Sequence, residues 1–342
     1  MAAPSPFDNV KFPALSELPF KNGDPKGAIW GFYEHLSSSS TPDELGSLNL
    51  LTPARILRAS KTEIKHGKVV SLNWELHKPF PAGHKRKGLE HKAFRMPAIR
   101  HPVIMDDELH FNTQCSSQWD GFRHYSLGET GQFYNGLTTE EVVDAAGVGK
   151  TSAFEKAERN GIHAFQGKIV GRGVLLDYYA YTQERGISYA PNDYHEVSAS
   201  DLDECAKKQG TVLEQGDILF VRTGFVTAYE NAAQEDRDAF GREARAAGLR
   251  QGMEEVQWLW DHHFAAVACD NPAFEVQPNK LAKWGLHDYL LPLWGTPVGE
   301  MFDLEELSRV CKELGRYSFF VTSSPLNVVN GIGSPPNALA IF

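Results

Sequence analysis

Three apolar runs organise the chain. Asp217-Ile-Leu-Phe-Val-Arg-Thr-Gly224 and Ala265-Ala-Val-Ala-Cys-Asp270 show no alternation, and Lys168–Asp177 is apolar apart from Gly171-Arg172-Gly173. Short apolar runs bounded by polar or turn-forming residues read as buried strands. Val69-Val-Ser-Leu-Asn-Trp-Glu-Leu76 alternates in the manner of a strand and is closed by Pro79-Phe-Pro-Ala-Gly83. Helical signals lie between these runs. Thr52-Pro53 opens a helix carrying Ile56, Leu57 and Ala59. Ser200–Ala206 reads as a helix start with acids in its first turn, Thr138–Val143 as a short capped helix, and roughly 237–263 as an amphipathic helical region. Thr41-Pro-Asp-Glu44 resembles a helix start halted at Gly46, after a Ser37–Ser40 loop. Residues 1–29 hold no period and read as a surface-hugging arm. Neither an internal repeat nor a dividing linker is present, so the pattern predicts one compact mixed α/β domain.

Composition narrows the function classes. With 342 residues, 42% hydrophobic and 23% charged, the chain is of ordinary globular make-up and long enough for a large core, which excludes disordered, collagenous and membrane-embedded classes. A net charge of −10 offers no uniformly basic surface to a nucleic acid, and the one dense basic run, His84-Lys-Arg-Lys87 between Gly83 and Gly88, reads as a solvated loop. Cys115, Cys205, Cys269 and Cys311 form no CxxC cluster, so neither a zinc knuckle nor a disulfide framework is expected. The first residues lack the basic start and apolar run of a secretory signal, and no stretch approaches the roughly 18 apolar residues of a membrane helix. A soluble, cytoplasmic protein with no membrane partner is the expectation.

The candidate chemistry is concentrated in Gln114-Cys-Ser-Ser-Gln118-Trp-Asp120-Gly-Phe-Arg-His124. On a backbone that is part strand and part turn, Gln114, Gln118, Asp120 and His124 can converge, with Asp120 as a metal ligand or acid and His124 as a general base. The bland alternative is a hydrogen-bonded turn with a satisfied histidine. Farther along, His287 and Glu300 flank a Pro- and Gly-punctuated loop, and could turn inward to one ion or lie unrelated on the surface. Cys269-Asp-Asn271-Pro272 ends an apolar run with polar groups, where Asn271 is a candidate hydrogen-bond donor. Arg222 could pair with a substrate carboxylate or close an internal salt bridge. Trp119, Phe122 and Tyr125 could wall a pocket for a planar or cyclic substrate, with core packing as the alternative. His262 and His263 read as packing or capping residues, and nothing locates His195.

Taken in order, these segments resemble the cyclase family that contains bacterial kynurenine formamidase and isatin hydrolase, in its longer branch. The family motif HxGTHxDxPxH runs along Gln114–His124 at every spacing, and Leu45–Pro53, Gly171–Asp177, Gln215–Gly224 and Gly331–Ala340 resemble the family as well. The resemblance spans about 43–342, dividing the chain into an N-terminal arm, 1–42, and a cyclase-type domain, 43–342. It implies a single swivelling β/β/α domain, assembled as a homodimer or homotetramer, that hydrolyses an amide, lactam or lactone bond of a small molecule. It further implies that Asp120, His287 and Glu300 bind a divalent ion, zinc or manganese, that His124 is the general acid/base, and that Asp120 also orients the water.

The departures are specific to this chain. Both motif histidines that ligate metal in the family are glutamines, Gln114 and Gln118, and the motif proline is Phe122. A glutamine carbonyl is a weaker zinc donor than imidazole. The expectation is therefore one ion on Asp120, His287 and Glu300 with Gln118 assisting, and Gln114 turned toward substrate. His110 lies four residues before Gln114, but on a strand that is about 13 Å away. The lost histidines also motivate two rival readings: a metal-free lyase, dehydratase or cyclase working through His124 and Asp120, and a binding protein that keeps only the pocket.

Overall fold

The computed structural model describes residues 4–96, 103–142, 159–242, 245–281 and 284–342. Its strands, in chain order, are β1 (Val69–Ser71), β2 (Glu90–Arg95), β3 (Met105–His110), β4 (Gln118–Asp120), β5 (Ile169–Leu176), β6 (Glu196–Val197), β7 (Ile218–Val221), β8 (Gly248–Leu249), β9 (Ala266–Cys269), β10 (Val298–Glu300), β11 (Ser318–Ser323), β12 (Gly333–Ser334) and β13 (Ala338–Ile341). Nine of them form one sheet in the order β1-β13-β11-β5-β7-β9-β10-β4-β12. β5, β7, β9 and β10 are parallel neighbours at its centre, and the pairs outside them are antiparallel. This explains the three apolar runs. β7 and β9 are buried at every position, as central parallel strands covered on both faces must be. β1 sits on an edge and alternates exposed, buried, exposed. Gly173 has a reason of its own: a Cβ there would collide with Val321 and Phe319 of the neighbouring β11.

Helices cover the sheet. Pro53–Glu63, capped by the Thr52 hydroxyl, packs on β5 and β11. Ala199–Gln209 packs on β5 and on Met253–His262. It starts one residue earlier than expected, because Ser198 and Asp201 form a reciprocal capping box, and it ends where Gly210 turns left-handed. Thr138 and Glu141 cap each other at Thr139–Val142 in the same way, while Val143 lies outside the described residues.

Three expectations are corrected. Thr41–Glu44 is not helical: the Asp43 carboxylate accepts from Gly46 N at 2.6 Å and starts a 3-10 turn, Gly46–Leu50. The alternating run from Val69 leaves the sheet after Ser71, where Trp74 turns away to donate to Glu230 at 2.9 Å. The helical region at 237–263 is two helices, Gln234–Arg242 and Met253–His262, separated by β8.

Residues 4–42 lie against the body of the protein. Val10, Leu18, Ala28, Ile29, Trp30, Phe32 and Tyr33 belong to the main core cluster, the Trp30 indole donates to Pro292 O at 2.7 Å, and Phe12 stacks on His263. Among the described residues no helix is long and apolar enough to cross a membrane.

Candidate active site

The antiparallel neighbours β4 and β10 position the site. Gln118 pairs with Glu300 and Asp120 with Val298. Because side chains alternate along a strand, Gln118 and Asp120 share one face and Trp119 takes the other. His287 is delivered from the turn Leu286–Asp288, which is fixed by Gly285 N donating to the Asp288 carboxylate at 2.7 Å. Its Nδ1 lies 3.0 Å from Glu275 Oε2, which aims Nε2 at Glu300 Oε1 (3.3 Å) and Asp120 Oδ2 (3.8 Å). His124 follows on the turn after β4, with Nε2 3.7 Å from Asp120 Oδ2.

Gln114 donates its amide to Asp120 Oδ1 and lies 3.1 Å from His124 Nδ1. Gln118 donates to Glu300 Oε2, and its carbonyl faces the Arg86 guanidinium at 3.4 Å. Arg86 also donates to Gln114 O at 2.9 Å. The run His84–Lys87 is thus only partly the solvated loop expected of it, for Lys85 and Lys87 are exposed while Arg86 turns inward.

The electrostatics are those of crowded acids. Asp120, Glu275 and Glu300 are all buried, with one imidazole, His287, among them. Burial pushes the Glu300 carboxyl up, and the Asp120 charge adds to this. Burial acts on Asp120 in the same sense, but His124 and His287 outweigh it and hold Asp120 below the usual carboxylate range. For His287, burial alone would favour the neutral ring, yet Glu275, Asp120 and Glu300 hold its pKa well above that of ordinary imidazole. His124, beside Asp120 but not Glu275 or Glu300, is lowered by burial, which outweighs the Asp120 charge.

Asp120, His287 and Glu300 each offer one donor atom, and the three atoms lie within 4.8 Å of one another. Asp120 Oδ2 is fully buried and without a hydrogen-bond partner. An orphaned carboxylate oxygen beside a second carboxylate and an imidazole already oriented by Glu275 is a donor set that fits a divalent cation.

Comparison with known proteins gives the family. The family model described as "Putative cyclase" matches residues 80–276, more than half of the chain. The chain belongs to the cyclase family. A crystal structure described as a novel cyclase is 29% identical, with a TM-score of 0.77 over 92% of this chain and 99% of that one. Two isatin hydrolases share the fold. One, bound to the product analogue thioisatinate, has a TM-score of 0.55 at 12% identity over 83% of this chain and 94% of its own. The other, isatin hydrolase A from Labrenzia aggregata bound to benzyl benzoate, has a TM-score of 0.54 at 13% identity over 80% of this chain and 93% of its own. Comparison with curated proteins finds no match. The architecture is the swivelling β/β/α fold of this cyclase family.

Not every residue singled out in the sequence reaches the cluster. Tyr125 does, its ring centred 5.3 Å from that of His287. Trp119 is fully buried on the far face of β4, against Phe302, with its indole donating to Ser323 Oγ. Phe122 packs between Tyr134 and Phe165 in the core. Arg222 is held by Asp177 (2.9 Å) and Glu305 (2.7 Å), the internal salt bridge the sequence also allowed. Asn271 is buried and donates to Ala247 O. His262 and His263 pack against Trp258 and Phe12 respectively, and His195 stacks on Tyr189.

Two residues of the cyclase site were not found in the sequence. Glu275 holds His287, and its one local signal is a charge inside the apolar stretch Ala273-Phe-Glu-Val276. Arg86 was hidden in a basic run.

Proposed function

We propose that this cyclase-family protein is a metal-dependent hydrolase that opens an amide, lactam or lactone bond in a small cyclic or aromatic substrate. The observation that carries the reading is the convergence of Asp120, His287 and Glu300 about Asp120 Oδ2, a buried oxygen left without a donor. A set of two carboxylates and one imidazole suits manganese and is adequate for zinc. When bound there, such an ion supplies Lewis acidity toward the scissile carbonyl.

The remaining work falls to side chains. Glu275 fixes the His287 ring so that Nε2, not Nδ1, faces the ion. His124, half-buried at the rim and held neutral by its burial, takes a proton from the attacking water and returns it to the leaving nitrogen or oxygen. Tyr125 offers an aromatic wall beside His287, which favours a planar ring over a sugar or phosphate. The substrate is a small molecule, and assembly as a homodimer or homotetramer in the cytoplasm belongs to the same reading.

The test is metal content by ICP-MS on protein purified without chelator or nickel resin, beside hydrolysis assays on isatin, an aryl formamide and an aryl lactone. Near-stoichiometric manganese or zinc is expected, reduced to background in Asp120→Asn and His287→Ala. Hydrolysis should be abolished by EDTA and restored by either ion. Turnover that persists in EDTA would replace this reading with a metal-free lyase in which His124 and Asp120 are the acid–base pair.

A further inference from the structure

We infer that Gln114 and Gln118 are positioning residues: each carboxamide ties up one oxygen of a metal-facing carboxylate, which limits the centre to a single ion and tilts its preference from zinc toward manganese. The inference rests on the metal reading above and concerns what the glutamines do in place of ligand histidines.

Hydrogen-bond partners fix both amides. Gln118 is fully buried, with its NH₂ on Glu300 Oε2 and its carbonyl toward Arg86 Nη1. Reversing it would set a carbonyl against a carboxylate and an NH₂ against a guanidinium, two contacts without a donor–acceptor match. Its oxygen therefore cannot swing to an ion without losing both partners. Gln114 bonds Asp120 Oδ1 through its NH₂, and its main-chain carbonyl accepts from the same Arg86 nitrogen, at 2.9 Å. One guanidinium thus links the two glutamines.

The consequence for coordination follows by counting oxygens. Asp120 Oδ1 and Glu300 Oε2 each accept an amide N–H from the side where Gln114 and Gln118 stand, and Asp120 Oδ2 and Glu300 Oε1 are the oxygens turned toward His287. Each carboxylate turns one oxygen into this space, and His287 Nε2 is the third donor. A second ion would need lone pairs where the two NH₂ groups stand, and an amide NH₂ has none to give. Two oxygens and a single imidazole favour an oxygen-seeking ion, whereas a second imidazole would favour zinc.

The experiment titrates EDTA-stripped protein with MnCl₂ and with ZnCl₂ in a calorimeter, and records the visible spectrum after loading with cobalt(II). Wild type, Gln118→Leu and Gln118→His are compared, with thermal melting of each stripped protein as the check on folding. Wild type should take one ion. Gln118→Leu should still take one, but about 10–100-fold more weakly for both metals, because Glu300 loses its orienting donor. Gln118→His should raise zinc affinity relative to manganese by about tenfold or more, and intensify the cobalt bands as an imidazole joins the coordination sphere. Two ions in wild type, Gln118→Leu binding within twofold of wild type, or an unchanged zinc-to-manganese ratio in Gln118→His would overturn the inference. A wild type that binds no ion would instead strike the metal reading itself, and this inference with it.

Discussion

Two of the carboxylate clusters among the described residues, one around Arg222 and one around His287, are built on opposite plans. Around Arg222 every carboxylate oxygen has a donor. Asp177 Oδ1 takes the guanidinium and Ala180 N, Asp177 Oδ2 takes the Ser308 hydroxyl, and Glu305 takes Arg222 Nε and Nη2 together with Thr227. Around His287 the accounting fails to close. Three buried carboxylates face His287, His124 adds a second imidazole only at 3.7 Å from Asp120, and Asp120 Oδ2 has no donor. Leaving a carboxylate oxygen buried and unsatisfied costs several kcal/mol unless something compensates. The first cluster closes on itself and needs no visitor, whereas the second has an opening for a cation. Neither buried charge nor a lone unsatisfied oxygen marks a site, for Glu34 Oε2 and Glu255 Oε2 are also buried without a partner; what sets Asp120 apart is that its orphaned oxygen shares its space with a second carboxylate and an oriented imidazole.

The contrast breaks first at its structural end. Arg222→Met leaves buried Asp177 and partly exposed Glu305 without their shared cation, and should cost about 3 kcal/mol of stability, the low end for removing one partner of a buried ion pair because solvent screens Glu305. Urea denaturation measures it, and the metal content of the folded fraction should not change. At the other end, Glu275→Gln keeps the shape but replaces the carboxylate that holds His287 Nδ1. It should weaken metal binding by about 10–100-fold while shifting stability far less. The same two measurements on both variants give a crossed pattern. If Glu275→Gln lowered stability as much as Arg222→Met and left metal affinity alone, the two clusters would be of one kind.

The parts of this arrangement that were legible from residues alone share a cause. β7 and β9 were visible because central parallel strands are covered on both faces and so leave uninterrupted apolar runs. The Pro53–Glu63 helix was visible because its cap, Thr52-Pro53, is local. Asp120 and His124 could be named because the motif spacing lies within one segment, and His287 and Glu300 because the resemblance supplied what no local pattern could. Glu275 was missed because its partner is twelve residues away across an irregular stretch, so that only the folded backbone brings the two together. Arg86 was missed because a run of basic residues looks alike whether all of its side chains are wet or one turns inward. The break between Gln234–Arg242 and Met253–His262 was hidden for a related reason: β8 pairs with β6, some fifty residues upstream, and no local signal shows a strand of two residues.

Trp119 is the residue on which period-two reasoning could have decided more than it did. Gln118 and Asp120 share a face of β4, so the residue between them points away from the cluster, into the core against Phe302. The smallest of the expected effects tests this. Trp119→Phe removes the indole hydrogen bond to Ser323 Oγ, at 2.9 Å, and part of a buried ring, and should cost about 1–3 kcal/mol in urea denaturation. Ser323 keeps its bond to Pro336 O, so no orphaned hydroxyl adds to the loss. KM for the best substrate of the panel should stay within twofold, because no part of the indole faces Asp120, His287 and Glu300. Tyr125→Leu is the mirror case, with stability nearly unchanged and KM raised severalfold by loss of the aromatic wall beside His287. A Trp119→Phe variant of full stability and altered KM would place the indole in the pocket, and would mean that the face of β4 turned toward the core is not the one described.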